Sequence, residues 1–286
     1  MKRLIINADD LGADEGRNEG ILEAIRAGMV TSASILPNGP ALAHALRGIR
    51  AGGFENVSFG VHLNLTEGRP LAEGLSRLIG PDGSFRGKAD AHRLLLAKGD
   101  AALRSEIASE AALQIDRLLG ASIGISHVDG HQHVHVFPAA LRTVVETAKS
   151  RGIRCMRIPD DAVCTGDETI PADWLEEARR FSALGKNARV CLDGSGILVP
   201  DHFCGLLLKG RLSAETLVAA IEQLPDGLTE LMVHPGRVAA GSASGPFAGF
   251  STSDREREIE ALLDPAVRRA LKRAGVLLTS YREVER

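Results

Sequence analysis

The nonapeptide His127-Val-Asp-Gly-His-Gln-His-Val-His135 holds four imidazoles and one carboxylate. So many metal-ligating side chains in nine residues seldom serve packing alone. His127 and Asp129 are two apart, so both face one side of a strand. Gly130 permits a sharp turn after them, and His131, His133 and His135 share a face if the chain stays extended. Asp9 and Asp10 are adjacent acids whose charges repel unless a cation or a proton separates them. Neighbours on a strand point to opposite sides, so these two can take different roles at one site only where the strand end turns. His62 and His234 each follow a short apolar run.

One carboxylate with two imidazoles leaves coordination positions open and suits a catalytic divalent metal. Asp10, His62 and His127 are the expected set. A hydrolytic site also needs a base for the water proton and an acid for the leaving group. Asp9 is placed for the first task and His234 for the second, with Pro235 and Gly236 fixing the turn that carries it. His44, His92 and His202 stand apart and read as structural, and Asp14 reads as a helix cap. Two other assignments stay open. A metal held by His131 and His133 would indicate an amidohydrolase or phosphoesterase, and a chain without a working base would be a sugar- or metal-binding protein.

The elements that must position these residues alternate. Strands are expected at Leu4 to Ala8, Val30 to Leu36, Val57 to Leu63, Ile123 to Val128, Arg154 to Ile158, Leu228 to Val233 and Val276 to Thr279. Helices are expected at Glu15 to Ala27, Pro40 to Arg50, Ala101 to Leu119, Pro138 to Arg151, Pro171 to Ala183, Ser213 to Leu224 and Asp254 to Ala274. Residues 64–100 read as a loop or small insertion, and Ala239 to Ser253 as a mobile loop. Strand–helix alternation implies parallel pairing and right-handed crossovers. Seven or eight such units favour an α/β fold of the TIM-like, distorted (β/α) barrel kind. Asp9-Asp10, His62, His127 and Asp129, and His234 all fall at carboxyl ends of strands, which in such folds share one rim where sites are built.

Length and composition agree. A chain of 286 residues suggests about two domains by length alone, but one barrel can use all of it. Apolar residues at 44% and charged residues at 25% exclude collagen-like and wholly disordered chains. A net charge of −3 advertises no nucleic-acid partner. No run approaches the ~18 apolar residues of a membrane span, and the N-terminal apolar run is too short for a signal peptide. Cys155, Cys164, Cys191 and Cys204 form no Cys-x-x-Cys pair, which argues against a zinc ribbon or thioredoxin-like motif. With no export signal expected, reduced thiols and a cytoplasmic location are expected. Aromatic residues are only 3%, with one Trp and one Tyr. Ligand recognition by ring stacking would therefore have to use Trp174, Tyr281 or a Phe, and binding should rest mainly on hydrogen bonds and the metal.

The motifs together resemble the YdjC-like carbohydrate deacetylases. The matching pieces are Asn7-Ala-Asp-Asp-Leu-Gly12, Val30-Thr-Ser-Ala-Ser34, Asn38-Gly39, Gly60-Val-His-Leu-Asn-Leu-Thr66, His127 through Pro138, His234-Pro235 and Thr279-Ser-Tyr-Arg282. They run in the family's order over nearly the whole chain, with Leu11 where the family usually has Phe, and match least from about 160 to 210. The resemblance implies a distorted barrel related to the polysaccharide deacetylases. It implies removal of acetyl from an N-acetylated sugar or oligosaccharide, giving acetate and a free amine. It implies Mg²⁺ or Zn²⁺ on Asp10, His62 and His127, with Asp9 as base and His234 as acid, and by the same analogy a homodimer. Candidate substrate contacts are Asn38, Arg157, His131 and His133.

Overall fold

The computed structural model describes residues 1–161, 170–238, 245–248 and 253–284. Cys164 and most of the expected loop at 239–253 lie outside them. The first strand, β1 (Lys2–Leu11), is buried on both sides at Leu4, Ile5 and Ile6. A continuous apolar run of this kind belongs to the middle of a sheet covered on both faces. Asp14 opens α1 (Glu15–Arg26) by accepting the Arg17 N–H at 2.7 Å. There follow β2 (Ser32–Ile35), α2 (Leu42–Gly52) and β3 (Ser58–Leu63). Next come α3 (Lys88–Leu96), α4 (Ala101–Gly120), β4 (Ile125–Gly130), α5 (Leu141–Lys149) and β5 (Cys155–Met156). The chain then forms α6 (Ala172–Leu192), β6 (His202–Cys204), α7 (Ala214–Glu222) and β7 (Gly227–Val233). It ends in α8 (Asp254–Leu263), α9 (Pro265–Arg273) and β8 (Leu277–Leu278).

The strands pair in parallel in the order β5-β4-β3-β2-β1-β7-β6, with β8 added against β1. The sheet curls into a half-barrel with helices outside. Its two edges touch through single parallel bridges, Cys155 to Leu198 and Asp161 to Phe203. The expected distorted barrel is thus the observed architecture. Parallel pairing brings all carboxyl ends to one rim, which is where the acids and imidazoles gather.

Several elements depart from the sequence reading. The expected helix from Asp254 to Ala274 is two helices, because Asp264 caps a new one at Pro265 by accepting the Ala266 N–H. α6 runs nine residues past the expected Ala183, and β6 is too short to show a period. Residues 64–100 contain α3 and an antiparallel bridge from Ile79 to Phe85. The rest of that segment lacks regular partners, yet its backbone N–H groups still need acceptors. Two glutamates one turn apart on α4 supply them. Glu110, fully buried, accepts from Leu71 and Ala72, and Glu106 accepts from Ser76, Arg77 and Leu78.

Replacing Glu110 with Ala strands buried donors of Leu71 and Ala72, each costing about 1–3 kcal/mol. Glu110→Ala is expected to lower the urea midpoint clearly, with Glu106→Ala, at a more exposed site, lowering it less. Equal midpoints for wild type and Glu110→Ala would show that other groups dock this segment.

Candidate active site

Asp9 and Asp10 end β1, where the pairing with β2 slips between Ala8 and Leu11. Asp10 has φ 68°, a left-handed conformation that Asp adopts more readily than most residues. That turn breaks strand alternation, so both carboxylates reach the same cavity instead of opposite sides of the sheet. The cavity has a volume of about 390 Å³, and Asp9, Asp10, His62, His131, His133 and His234 all line it.

Around Asp10 a metal-sized cluster forms. Its Oδ1 lies 2.9 Å from His131 Nδ1 and 3.3 Å from His62 Nε2. The ligand atoms of Asp10, His62 and His131 all lie within 4.8 Å of one another. His62 Nδ1 is 2.8 Å from Asp129 Oδ1. The two residues face each other in the β3–β4 register, so this contact follows from strand pairing. A carboxylate behind an imidazole fixes the ring and turns its other nitrogen toward the metal position. The other oxygen of Asp10 meets Arg255 at 2.8 Å. Burial would raise the Asp10 carboxyl, but His131, His62 and Arg255 hold it well below the usual range. Burial likewise opposes a charge on His62, yet Asp129, Asp9 and Asp10 push it up to about 10.

Asp9, His62 and Asp129 form a second cluster. There the acids are already neutralised. Arg157 grips Asp9 through two bonds of 2.7 and 2.6 Å and reaches Asp129 at 2.9 Å and Glu230 at 2.9 Å. Tyr281 donates to the other Glu230 oxygen at 2.6 Å. Asp9 has both oxygens committed to Arg157, whereas Asp10 gives Arg255 only Oδ2 and keeps Oδ1 toward the two imidazoles, which favours the Asp10 cluster as the cation site.

The structure does not bring His127 to either cluster. His62 pairs in register with Asp129, and His127 lies two residues earlier on β4, about 6.6 Å deeper along the strand. Its nitrogens meet Ser126 Oγ at 2.8 Å and Ser34 Oγ at 3.2 Å, and its ring stacks on Tyr281 with centroids 3.8 Å apart. Burial, with Arg157 and His62 nearby, pushes it down to about 3. His131 takes the place expected for His127 because residues 131–136 are not extended. They form a 3-10 turn in which Gln132 and His133 are left-handed, with φ 53° and 58°. Gly130 is itself extended, with φ −162°. Its lack of a side chain serves close packing, since a Cβ there would sit 3.0 Å from the His135 ring and 3.1 Å from the Leu63 carbonyl.

The turn scatters the three alternating histidines. His131 faces Asp10, and His135 contacts the Arg157 carbonyl at 3.1 Å. His133 packs on Phe181 with centroids 4.7 Å apart, its Nδ1 buried without a partner among the described residues. Two other candidate contacts lie away from the cavity lining. Asn38 binds the Arg69 carbonyl and Asn64, and Arg157 is fully buried among its carboxylates. His234 places Nε2 3.9 Å from Asp9 Oδ2. Its backbone N–H donates to Glu258, and burial together with Arg255 and Lys209 holds the ring neutral. Asp129 and Tyr281 sit inside motifs already legible in sequence. Arg255 and Glu230 carry no local signal, because only the fold brings them to the first strand.

The geometry separates two histidines eight and four residues from His135. His131→Ala should abolish divalent-metal binding in calorimetry, while His127→Ala should retain it. Asp129→Asn should weaken affinity 10- to 100-fold by loosening His62. Metal bound normally by His131→Ala and lost in His127→Ala would reverse the assignment.

The chain is similar to several known proteins. Residues 3–273 match the family described as YdjC-like protein. A carbohydrate deacetylase of Mus musculus is 36% identical, over 99% of this chain and 95% of its own. One of Geobacillus stearothermophilus is 31% identical, over 98% and 96%. A chitooligosaccharide deacetylase of Salmonella paratyphi B is 38% identical, over 63% of this chain and 68% of its own. Among solved structures, an Enterococcus faecalis protein described as acting in cellobiose-phosphate cleavage superposes with a TM-score of 0.77 at 24% identity, over 99% and 98% of the two chains, which speaks for the fold. On its motifs, its half-barrel and a match spanning nearly its full length, this chain belongs to the YdjC-like family.

Proposed function

We propose that this protein is a metal-dependent carbohydrate deacetylase that removes acetyl from an N-acetylated sugar, working in the cytoplasm as one barrel domain. The observation that carries the reading is the Asp10–His62–His131 cluster set beside an arginine-clamped Asp9 in one cavity. Relatives named carbohydrate deacetylase over almost their whole length supply the substrate class. One carboxylate and two imidazoles fit Mg²⁺ or Zn²⁺ and leave positions for water and substrate. When bound, such a cation polarises the amide carbonyl and lowers the pKa of water to ~7.

The remaining work falls to this chain's side chains. Arg157 fixes Asp9 in one orientation, so its free lone pairs face the cavity as a base for the attacking water. Burial holds the His234 imidazole well below its usual range, so it enters the reaction as a proton acceptor. Its Nε2 stands 3.9 Å from Asp9, so a water between them would carry the proton to it before it passes to the departing amine. His131 belongs to the metal set in this reading, and His133 offers its unpartnered Nδ1 to a substrate hydroxyl. The amidohydrolase or phosphoesterase alternative needs His131 and His133 to converge on one cation, and His133 joins no such cluster among the described residues.

Asp9→Asn should bind metal normally yet release acetate from N-acetylglucosamine and its oligomers 10²- to 10⁴-fold more slowly. Chelation should stop wild-type release, and added Mg²⁺ or Zn²⁺ should restore it. Wild-type turnover by Asp9→Asn would remove Asp9 from the base role. The absence of acetate from any acetylated sugar under every metal condition would remove the proposal.

A further inference from the structure

We propose that Trp174 and the neighbouring Lys88–Glu177 ion pair form a subsite for a second, uncharged pyranose ring, with the acetylated ring held deeper, at the Asp10–His62–His131 end. This rests on the deacetylase reading of the cavity. The wall concerned is one face of α6. Trp174, Glu177, Ala178 and Phe181 all line the cavity, at the i, i+3, i+4, i+7 spacing of a single helical stripe. Exposure falls steadily along it, from 39% at Trp174 to 7% at Ala178 and 3% at Phe181. α6 therefore runs from the mouth of the cavity to its interior.

Seven residues of helix span about 10 Å, more than one sugar ring occupies. The inner end is already committed: Phe181 packs on His133, whose left-handed backbone and unpartnered Nδ1 belong to the catalytic end. The outer end has a different chemistry. The Trp174 indole, 39% exposed, lines the cavity mouth and offers a ligand a large amphipathic surface. Its flat face suits the C–H face of a pyranose, and its N–H can meet a hydroxyl. One turn further along α6, Glu177 pairs with Lys88 of α3 at 2.6 Å. The pair cancels its own charge while leaving donors and acceptors for sugar hydroxyls, which is why the second ring is assigned as uncharged. It also ties α6 to the 64–100 segment, so both walls of the mouth are fixed together.

Trp174 is the chain's single tryptophan, so its emission reports on this subsite independently of turnover. Titration with the β-1,4-linked disaccharide of N-acetylglucosamine should shift or quench that emission saturably, whereas the monosaccharide should leave it nearly unchanged. In acetate release, the wild type should favour the disaccharide in kcat/KM. Trp174→Ala should reduce that preference about tenfold, chiefly through KM, as expected when binding shared by ground and transition states is removed. Trp174→Phe should keep most of it. No emission change at saturating disaccharide, or equal losses on mono- and disaccharide in Trp174→Ala, would overturn the subsite. Failure of the deacetylase reading would instead show as no acetate from either sugar, and the emission titration would still decide the subsite.

Discussion

The site depends on one buried guanidinium. Arg157, entirely out of solvent, stands among Asp9, Asp129 and Glu230. Three buried acids cannot coexist without compensation, and an ion in a protein interior costs several kcal/mol unless it is well paired. Arg157 and His62 hold the Asp129 carboxyl well below its usual range, while burial raises Glu230 to about 6. From this centre the order spreads outward. Asp129 orients His62, Asp9 is held as a fixed base, and Glu230 passes the constraint to Tyr281, which anchors the C-terminal turn and stacks on His127. Breaking the centre would take the shared cation from three buried carboxylates at once.

Left-handed backbone recurs around the cavity, at Asp10, at Gln132–His133 and at Phe247. Asp10 and the pair Gln132–His133 hold left-handed conformations that non-glycine residues reach only at a cost of about 1–3 kcal/mol each. At the end of β1 the turn lets two adjacent acids share a cavity while having different partners, Arg157 for Asp9 and Arg255 for Asp10. After β4 the turn sends His131, His133 and His135 in three directions. The surrounding sheet registers and ion pairs over-determine these conformations, which is what allows them to persist.

The walls of the cavity follow another logic. The segment between β3 and α4 has little regular structure of its own and is held by backbone bonds to Glu106 and Glu110 on α4. It contributes Glu67 and Lys88 to the lining, opposite in sequence to the Trp174 and Glu177 of α6. The scarcity of aromatic residues also has a spatial meaning. Tyr281 is fully buried and unavailable to substrate, while Trp174 stands at the mouth.

The sequence by itself determined the alternation of strands and helices, and with it a parallel barrel whose carboxyl-end rim carries Asp9, Asp10, His62 and His234. Those features are local: apolar runs, caps and turn residues declare themselves within a few positions. It also marked the His-rich block as chemical, but not which of its imidazoles would meet Asp10. Spacing along an imagined strand favoured His127. The tertiary structure decided for His131, because the β3–β4 register sets Asp129 opposite His62 and leaves His127 one pleat deeper. His131, directly after Gly130, reaches Asp10 at the end of β1, and the two left-handed residues that follow it turn His133 and His135 elsewhere. The long-range partners were likewise decided only in three dimensions. Arg157, Glu230, Tyr281 and Arg255 lie far along the chain from Asp9 and Asp10, and buried charges find their partners through folding rather than through spacing.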